Sequence, residues 1–284
     1  YYRVSDGIEG SFDHLKEKVD EGWSLVVFPE GSRSTSNKIK RFHKGAFLLQ
    51  EKLGIDILPF YLHGNADVLP KGDHVIYDGK LTTIVGQRIK ADDTSYGTTL
   101  RERTKKISAA YKSKFNEYRA EIEDADYFKD NLLDNYIYKG DRFYQTIKKD
   151  FAANKKIYKK ISDSLPLVAT IAHVAADYGQ IDVLLSTCSL DRRITTFIAD
   201  PEQRNIASNC YTTKTRNVNY TTIKEDILAN NPSILIISGK KTTISPSFLK
   251  NNESVKTIVL IDNANLATEF ASHGFEVKNI VNED

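Results

Sequence analysis

From Pro166 onward, short apolar runs alternate with helix-like segments. The apolar runs lie at 168–174, 193–199, 234–238 and 256–261, and the helical patterns at 181–185, 203–211 and 223–229. Runs that are apolar on consecutive positions, rather than alternately, belong to strands buried on both faces. With helices between them they form βαβ units and a mainly parallel sheet. This pattern assigns the C-terminal half to the α/β class.

The N-terminal half is read as α/β too. A helical spacing of Phe12, Leu15 and Val19 is stopped by Gly22, and a second helix over 46–53 is stopped by Gly54. Strands are expected at 24–28, 57–62, 74–77 and 81–85, and a long amphipathic helix at 98–119. Tyr, Lys and Asp dominate 124–164 with helical spacing, which reads as a helical linker carrying Tyr136, Tyr138, Phe143 and Tyr144 as packing residues. The expected organisation is therefore a domain over 1–122, a linker over 123–164 and a second domain over 165–284.

Residues 25–28 form an apolar run, Leu-Val-Val-Phe, that is expected to be a buried strand. Pro29 and Gly31 break it, the one lacking a donor and the other tolerating unusual backbone angles. At the break stand Glu30, Ser32, Arg33 and Ser34. Charged groups at the end of a buried strand suit a binding site. The string Phe28-Pro29-Glu30-Gly31-Ser32-Arg33-Ser34 resembles the Phe-Pro-Glu-Gly-Thr-Arg-Ser block of the glycerolipid (1-acylglycerol-3-phosphate type) acyltransferase family, with Ser32 keeping the hydroxyl of the usual Thr. Lys44-Gly45-Ala46-Phe47 and Ile57-Leu58-Pro59-Phe60 follow in the family's order.

The resemblance implies transfer of an acyl group from acyl-CoA or acyl carrier protein to a lysophosphatidate-like acceptor. Arg33 is the expected phosphate contact, because a guanidinium fork matches phosphate oxygens. Glu30 and Gly31 shape the acceptor site, with Glu30 orienting Arg33 or an acceptor hydroxyl, and Ser32, Ser34 and Lys44 complete it. The basic residues Lys38, Lys40, Arg41 and Lys44 would draw anions, including an anionic bilayer surface.

The same family needs a His-x-x-x-x-Asp motif whose His serves as general base. Five positions after the six histidines stand Val19, Leu48, Val68, Gly79, Tyr178 and Lys278, so the motif is absent. His14 reads as a surface histidine. The chain begins at Tyr1 and has no methionine, and is read as a C-terminal fragment of an acyltransferase whose catalytic residues lie elsewhere. By itself it is expected to be inactive. The alternative is a non-catalytic scaffold or regulatory tail of a larger membrane-associated lipid-handling protein, as in bacterial relatives where such a part follows a fused membrane exporter.

Residues 140–284 resemble, in order and spacing, the class I S-adenosylmethionine-dependent methyltransferase fold. In that family an acid and Gly-x-Gly-x-Gly follow the first strand, and another acid ends the second. Here His173 takes the acid's place, Ala175 and Asp177 take the first two glycines, and only Gly179 survives. Ile198 stands where the second acid is expected. Asp200 lies two positions later, and before Pro201 and Glu202 it reads as a helix N-cap. The expectation is a Rossmann-like, degenerate domain that binds no S-adenosylmethionine. Asp177, Gly179 and Asp200 would be cofactor ligands only in the weaker reading, an active methyltransferase.

Composition narrows the classes further. A net charge of +2 on 284 residues does not fit a general nucleic-acid binder. Cys188 and Cys210 have neither metal spacing nor the density of a disulfide framework, and read as reduced and buried. No metal or other cofactor is called for. No run reaches the ~18 apolar residues of a membrane span. The expected location is cytoplasmic, peripheral to the inner face of the membrane.

Overall fold

A computed structural model describes residues 12–33, 39–69, 76–239 and 244–280. The chain divides into two units, Tyr1–Ile122 and Glu123–Asp284.

The first unit contains helices α1 (Phe12–Asp20) and α2 (Lys44–Leu53), strand β1 (Phe60–His63), a single turn α3 (Asn65–Val68), strand β2 (Thr82–Val85) and the long helix α4 (Leu100–Ile122). Strands β1 and β2 pair antiparallel, Phe60 opposite Val85 and Leu62 opposite Thr83. The core is small: Phe42, Phe47, Ile89 and Ile107 are buried, with Ile39, Ile57, Tyr96 and Tyr111 packed against them. Gly54 ends α2 in the left-handed conformation (φ 63°), and its N–H closes the last turn as a helix stop should.

Two expected strands of this unit are not found. Residues 23–28 are irregular, and Val26 and Phe28 are 85% and 70% exposed. An apolar run becomes a strand only when a partner satisfies its backbone, and among the described residues the two-stranded sheet of this unit does not pair with it. Of the strand expected over 74–77, residues 74 and 75 lie outside the described residues, and Ile76 and Tyr77 are irregular, Ile76 being exposed.

The second unit begins with α5 (Lys129–Asp134), a 3-10 turn (Ile137–Lys139) and α6 (Asp141–Ser164). There follow β3 (Ala169–Ala175), α7 (Gln180–Cys188), β4 (Arg192–Ile198), α8 (Pro201–Asn209), α9 (Tyr211–Thr215), β5 (Val218–Thr221), β6 (Ile234–Ser238), β7 (Thr257–Ile261), α10 (Ala267–Ser272) and β8 (Glu276–Ile280). All six strands run parallel in the order β5-β4-β3-β6-β7-β8. This is a doubly wound sheet. The chain steps outward from β3 on one side, then returns to β6 on the other, so the switch point lies between β3 and β6.

The sheet is buried on both faces, as its unbroken apolar runs predict. Ile171, Ile194, Ile236 and Val259 pack with Ile147, Phe151 and Ile161 of α6 and Leu184 and Leu185 of α7. Ala172, Val174, Leu235, Ile258 and Leu260 pack on the opposite face with Leu249 and Phe270. Tyr136, Phe143 and Tyr144 join the first of these clusters, whereas Tyr138 stays 53% exposed. Arg192, 1% exposed, is tied down by four carbonyls, those of Ser162, Leu165, Pro166 and Leu185, at 3.0–3.3 Å. Two of them lie at the C-terminus of α6, where carbonyls lack helical partners and a cation is favoured.

Candidate functional site

In the first unit the Glu-Gly segment forms a tight turn. Gly31 donates to the Phe28 carbonyl (3.0 Å) and has φ 67°, a conformation that glycine adopts without strain. A Cβ there would approach the His43 ring at 3.2 Å, so the turn and the start of α2 touch. The chain is brought back over the turn by two backbone bonds. His43 N–H donates to the Pro29 carbonyl (2.8 Å), and Lys40 N–H donates to Glu30 Oε2 (2.8 Å). Phe42, between them, anchors the return in the core, edge-on to Tyr111 with ring centroids 5.2 Å apart.

Glu30 is thus half-buried and serves as a clamp. Its carboxylate holds the Lys40 backbone rather than the Arg33 side chain. It also faces the Tyr111 phenol. Burial foremost, with the Tyr61 and Glu30 charges, pushes that phenol up to about 12, and its O–H donates to the Phe60 carbonyl (2.6 Å). A neutral donor is what this bond requires.

Outside the clamp stand the cations. Lys40 Nζ donates to the Arg33 carbonyl (3.0 Å) and reaches Ser32 Oγ (3.5 Å). Ser32, Arg33, Arg41, His43 and Lys44 are exposed. The Arg33 guanidinium and the Lys44 ammonium have no hydrogen-bond or ion-pair partner among the described residues. Helix α2 starts with no side-chain cap and no acid in its first turn, and Lys44 is its first residue. Like charge at a helix N-terminus is unfavourable, and the free N–H groups there favour an anion. The structure therefore gathers Glu30, Gly31, Ser32, Arg33 and Lys44 around one turn and adds His43, which the sequence reading passed over. Its signal was position: it directly precedes a helix-like run, in the place of a cap. Ser34 and Lys38 lie outside the described residues.

In the second unit, Asp177, Tyr178 and Gly179 form the turn from β3 into α7 at the switch point. Two of its donors are already used. Gly179 N–H goes to Asp177 Oδ1 and Tyr178 N–H to Gln180 Oε1, both at 2.7 Å. Gly179 has φ 87°, and a Cβ on it would meet the Ala207 Cβ at 2.7 Å and the Tyr220 hydroxyl at 2.9 Å. The close approach that glycine permits is taken up by the protein's own side chains. Asp200 caps α8, accepting the Gln203 N–H at 2.8 Å. The Tyr178 and Gly179 N–H groups and the Asp200 carboxylate, which the weaker reading would turn toward a cofactor, make hydrogen bonds within the protein instead.

A family model described as Acyltransferase matches residues 4–63, the stretch that contains the Glu-Gly turn and the start of α2. Among curated proteins, the chain is similar to the chloroplastic 1-acyl-sn-glycerol-3-phosphate acyltransferase BAT2 of Brassica napus, at 35% identity over 27% of this chain and 23% of that protein. It is also similar to LPAT1 of Arabidopsis thaliana, another chloroplastic 1-acyl-sn-glycerol-3-phosphate acyltransferase, at 34% identity over 27% of this chain and 22% of that one. The 1-acyl-sn-glycerophosphate acyltransferase PlsC of Thermotoga maritima aligns at 27% identity over 38% of this chain and 44% of that chain, with a TM-score of 0.35. The chain spans less than a quarter of the length of the curated relatives it matches. The first unit of this α/β protein carries a segment that matches the Acyltransferase family model and is similar to part of glycerolipid acyltransferases.

Proposed function

We propose that the first unit is the acceptor-binding part of a lysophosphatidate-type acyltransferase. Arg33 grips the phosphate of a lysophospholipid-like acceptor, Ser32, Ser34 and Lys44 add donors, and the start of α2 completes the anion site. Glu30 acts through the clamp on Lys40 and holds the cations in place. The acyl donor is acyl-CoA or acyl carrier protein. Transfer needs a base to take the acceptor's hydroxyl proton as its oxygen attacks the thioester carbonyl and the thiolate leaves. No histidine of this sequence stands in a His-x-x-x-x-Asp motif, so the chain alone binds without turning over.

The observation that carries this reading is the pair of cations Arg33 and Lys44, which have no partner among the described residues and are set by the Glu30 clamp beside an uncapped helix start. Exposed Val26 and Phe28 beside the basic segment fit peripheral contact with an anionic bilayer. No helix among the described residues is long and apolar enough to cross a membrane. The second unit is a non-catalytic, packing domain that takes no S-adenosylmethionine.

Calorimetry with sn-glycerol 3-phosphate and lysophosphatidate tests the assignment. A charge-assisted hydrogen bond contributes about 1.5–3 kcal/mol, so Arg33→Gln should weaken binding roughly 10- to 150-fold. Equal affinity of the variant and the parent would refute it.

A further inference from the structure

The second unit carries a chain of polar side chains through its interior that its packing role does not require. His173 in β3 is fully buried, and so is Asp182 in α7. His173 Nδ1 lies 2.7 Å from Asp182 Oδ1, and its Nε2 lies 2.9 Å from Ser238 Oγ at the end of β6, itself 4% exposed. Strands β3 and β6 are the two that flank the switch point, and α7 is the helix that leaves it. Two hydrogen bonds on one imidazole therefore join all three elements.

Charge decides the protonation of this chain. Among the described residues no lysine or arginine pairs with Asp182, and its carboxylate faces the Tyr220 phenol without Oδ2 closing a hydrogen bond of normal geometry. A lone carboxylate in such a place is very costly, and a proton on its neighbour removes the cost. The groups facing the imidazole make the same demand. Asp182 faces it from α7, Asp177 from the β3–α7 turn and the Ser238 hydroxyl from β6. Thr196 of β4 stands beside it in register, and Tyr220 of β5 follows Thr196 in the same row. None of these is a cation. Burial pulls the His173 imidazole down, but the Asp182 charge and hydrogen bond, with Asp177, outweigh it and leave it above its ordinary value.

We propose that the His173–Asp182–Ser238 chain is a proton-operated latch across the switch point. It holds β3, α7 and β6 together while the imidazole carries both protons. It loosens when the imidazole loses one and leaves a net negative charge in the core. A group whose affinity for protons rises on folding adds stability that is complete below its unfolded value, about 6.5 for histidine. That stability is lost as pH rises through the higher folded value. The carboxyl end of the sheet should accordingly open more readily under alkaline conditions.

The test is imidazole ¹⁵N NMR on the whole chain at pH 6.5, with hydrogen exchange of the β3 and β6 amides from pH 6.5 to 9. At pH 6.5, where an unperturbed histidine is about half protonated, both His173 nitrogens should be protonated in most molecules. After correction for intrinsic exchange, the opening constant should rise with pH by up to about tenfold per unit, the slope for one proton. Asp182→Asn, which removes the buried charge and keeps the oxygen acceptor, should flatten that dependence. An imidazole mostly neutral at pH 6.5, or protection independent of pH in the parent chain, would overturn the proposal. The NMR result stands even where the variant does not fold.

Discussion

The two units treat their polar and apolar groups in opposite ways. The first buries only a few large apolar side chains, Phe42, Phe47, Tyr61, Ile89, Ile107 and Phe115, and leaves Val26, Phe28, Phe60 and Val85 in solvent; Arg33 and Lys44 have no side-chain partner among the described residues. The second buries both faces of a six-stranded sheet, and His173, Asp182, Ser238 and Arg192 are satisfied largely by one another or by backbone carbonyls. Both are α/β, so the fold class does not separate them. What separates them is where unspent hydrogen-bonding capacity points. In the first unit it points outward from a turn and a helix start. In the second much of it is spent internally, as at the Tyr178 and Gly179 N–H groups, and what remains on Asp182, Thr196 and Tyr220 is sealed in the interior.

The sharpest way to break this contrast is to remove a large side chain from each unit. Phe270 is fully buried, and Phe270→Ala should cost the second unit about 3–5 kcal/mol in urea unfolding. Phe28→Ala, at a position 70% exposed, should change stability by no more than about 0.5 kcal/mol. A comparable loss at both sites would mean that Phe28 is packed and that the first unit is not open there.

A second test uses charge. Burial foremost, with Asp182 and Asp150 adding to it, pushes the Asp177 carboxyl up to about 6, against the partly offsetting pull of His173 and the Gly179 N–H. A carboxyl raised in the folded state destabilises the fold increasingly as pH rises from about 4 through 6. Asp177→Asn keeps the oxygen that accepts the Gly179 N–H and removes the charge. It should stabilise the second unit by up to about 3 kcal/mol at pH 7 and by almost nothing at pH 4, read by denaturant unfolding at both values. A loss of stability at pH 7 would mean that the attraction between Asp177 and the His173 imidazole outweighs the cost of burying the carboxylate.

The smallest effect belongs to Asp200. As the N-cap of α8 it is worth about 1 kcal/mol, lost in Asp200→Ala and recovered in Asp200→Ser. If the serine variant were no better than alanine, the side chain would have some role other than capping.

The sequence made the centre of the second sheet legible because β3, β4, β6 and β7 are buried runs that no other element resembles. It hid β5 and β8, whose Val218-Asn219-Tyr220-Thr221 and Glu276-Val277-Lys278-Asn279-Ile280 are edge strands with polar positions facing solvent. The opposite error occurred at 25–28. Four apolar residues look like a strand, but pairing is a tertiary property and an apolar run does not carry its partner with it. The Glu-Gly turn was legible because Pro29 and Gly31 impose it locally. The Glu30 clamp was not, since it depends on a return of the chain ten residues later. His173 was visible as a polar residue in an apolar strand, and Asp182 as an acid inside Ile181–Leu185. Only the fold shows that they meet.

The most direct test of the contrast is an amide NMR titration of the whole chain with sn-glycerol 3-phosphate, followed by S-adenosylmethionine. The account predicts saturable shifts from the first ligand confined to residues 30–47, abolished in Arg33→Gln, and no saturable shift from the second. Shifts at 175–200 with S-adenosylmethionine, or none at 30–47 with glycerol phosphate, would contradict it.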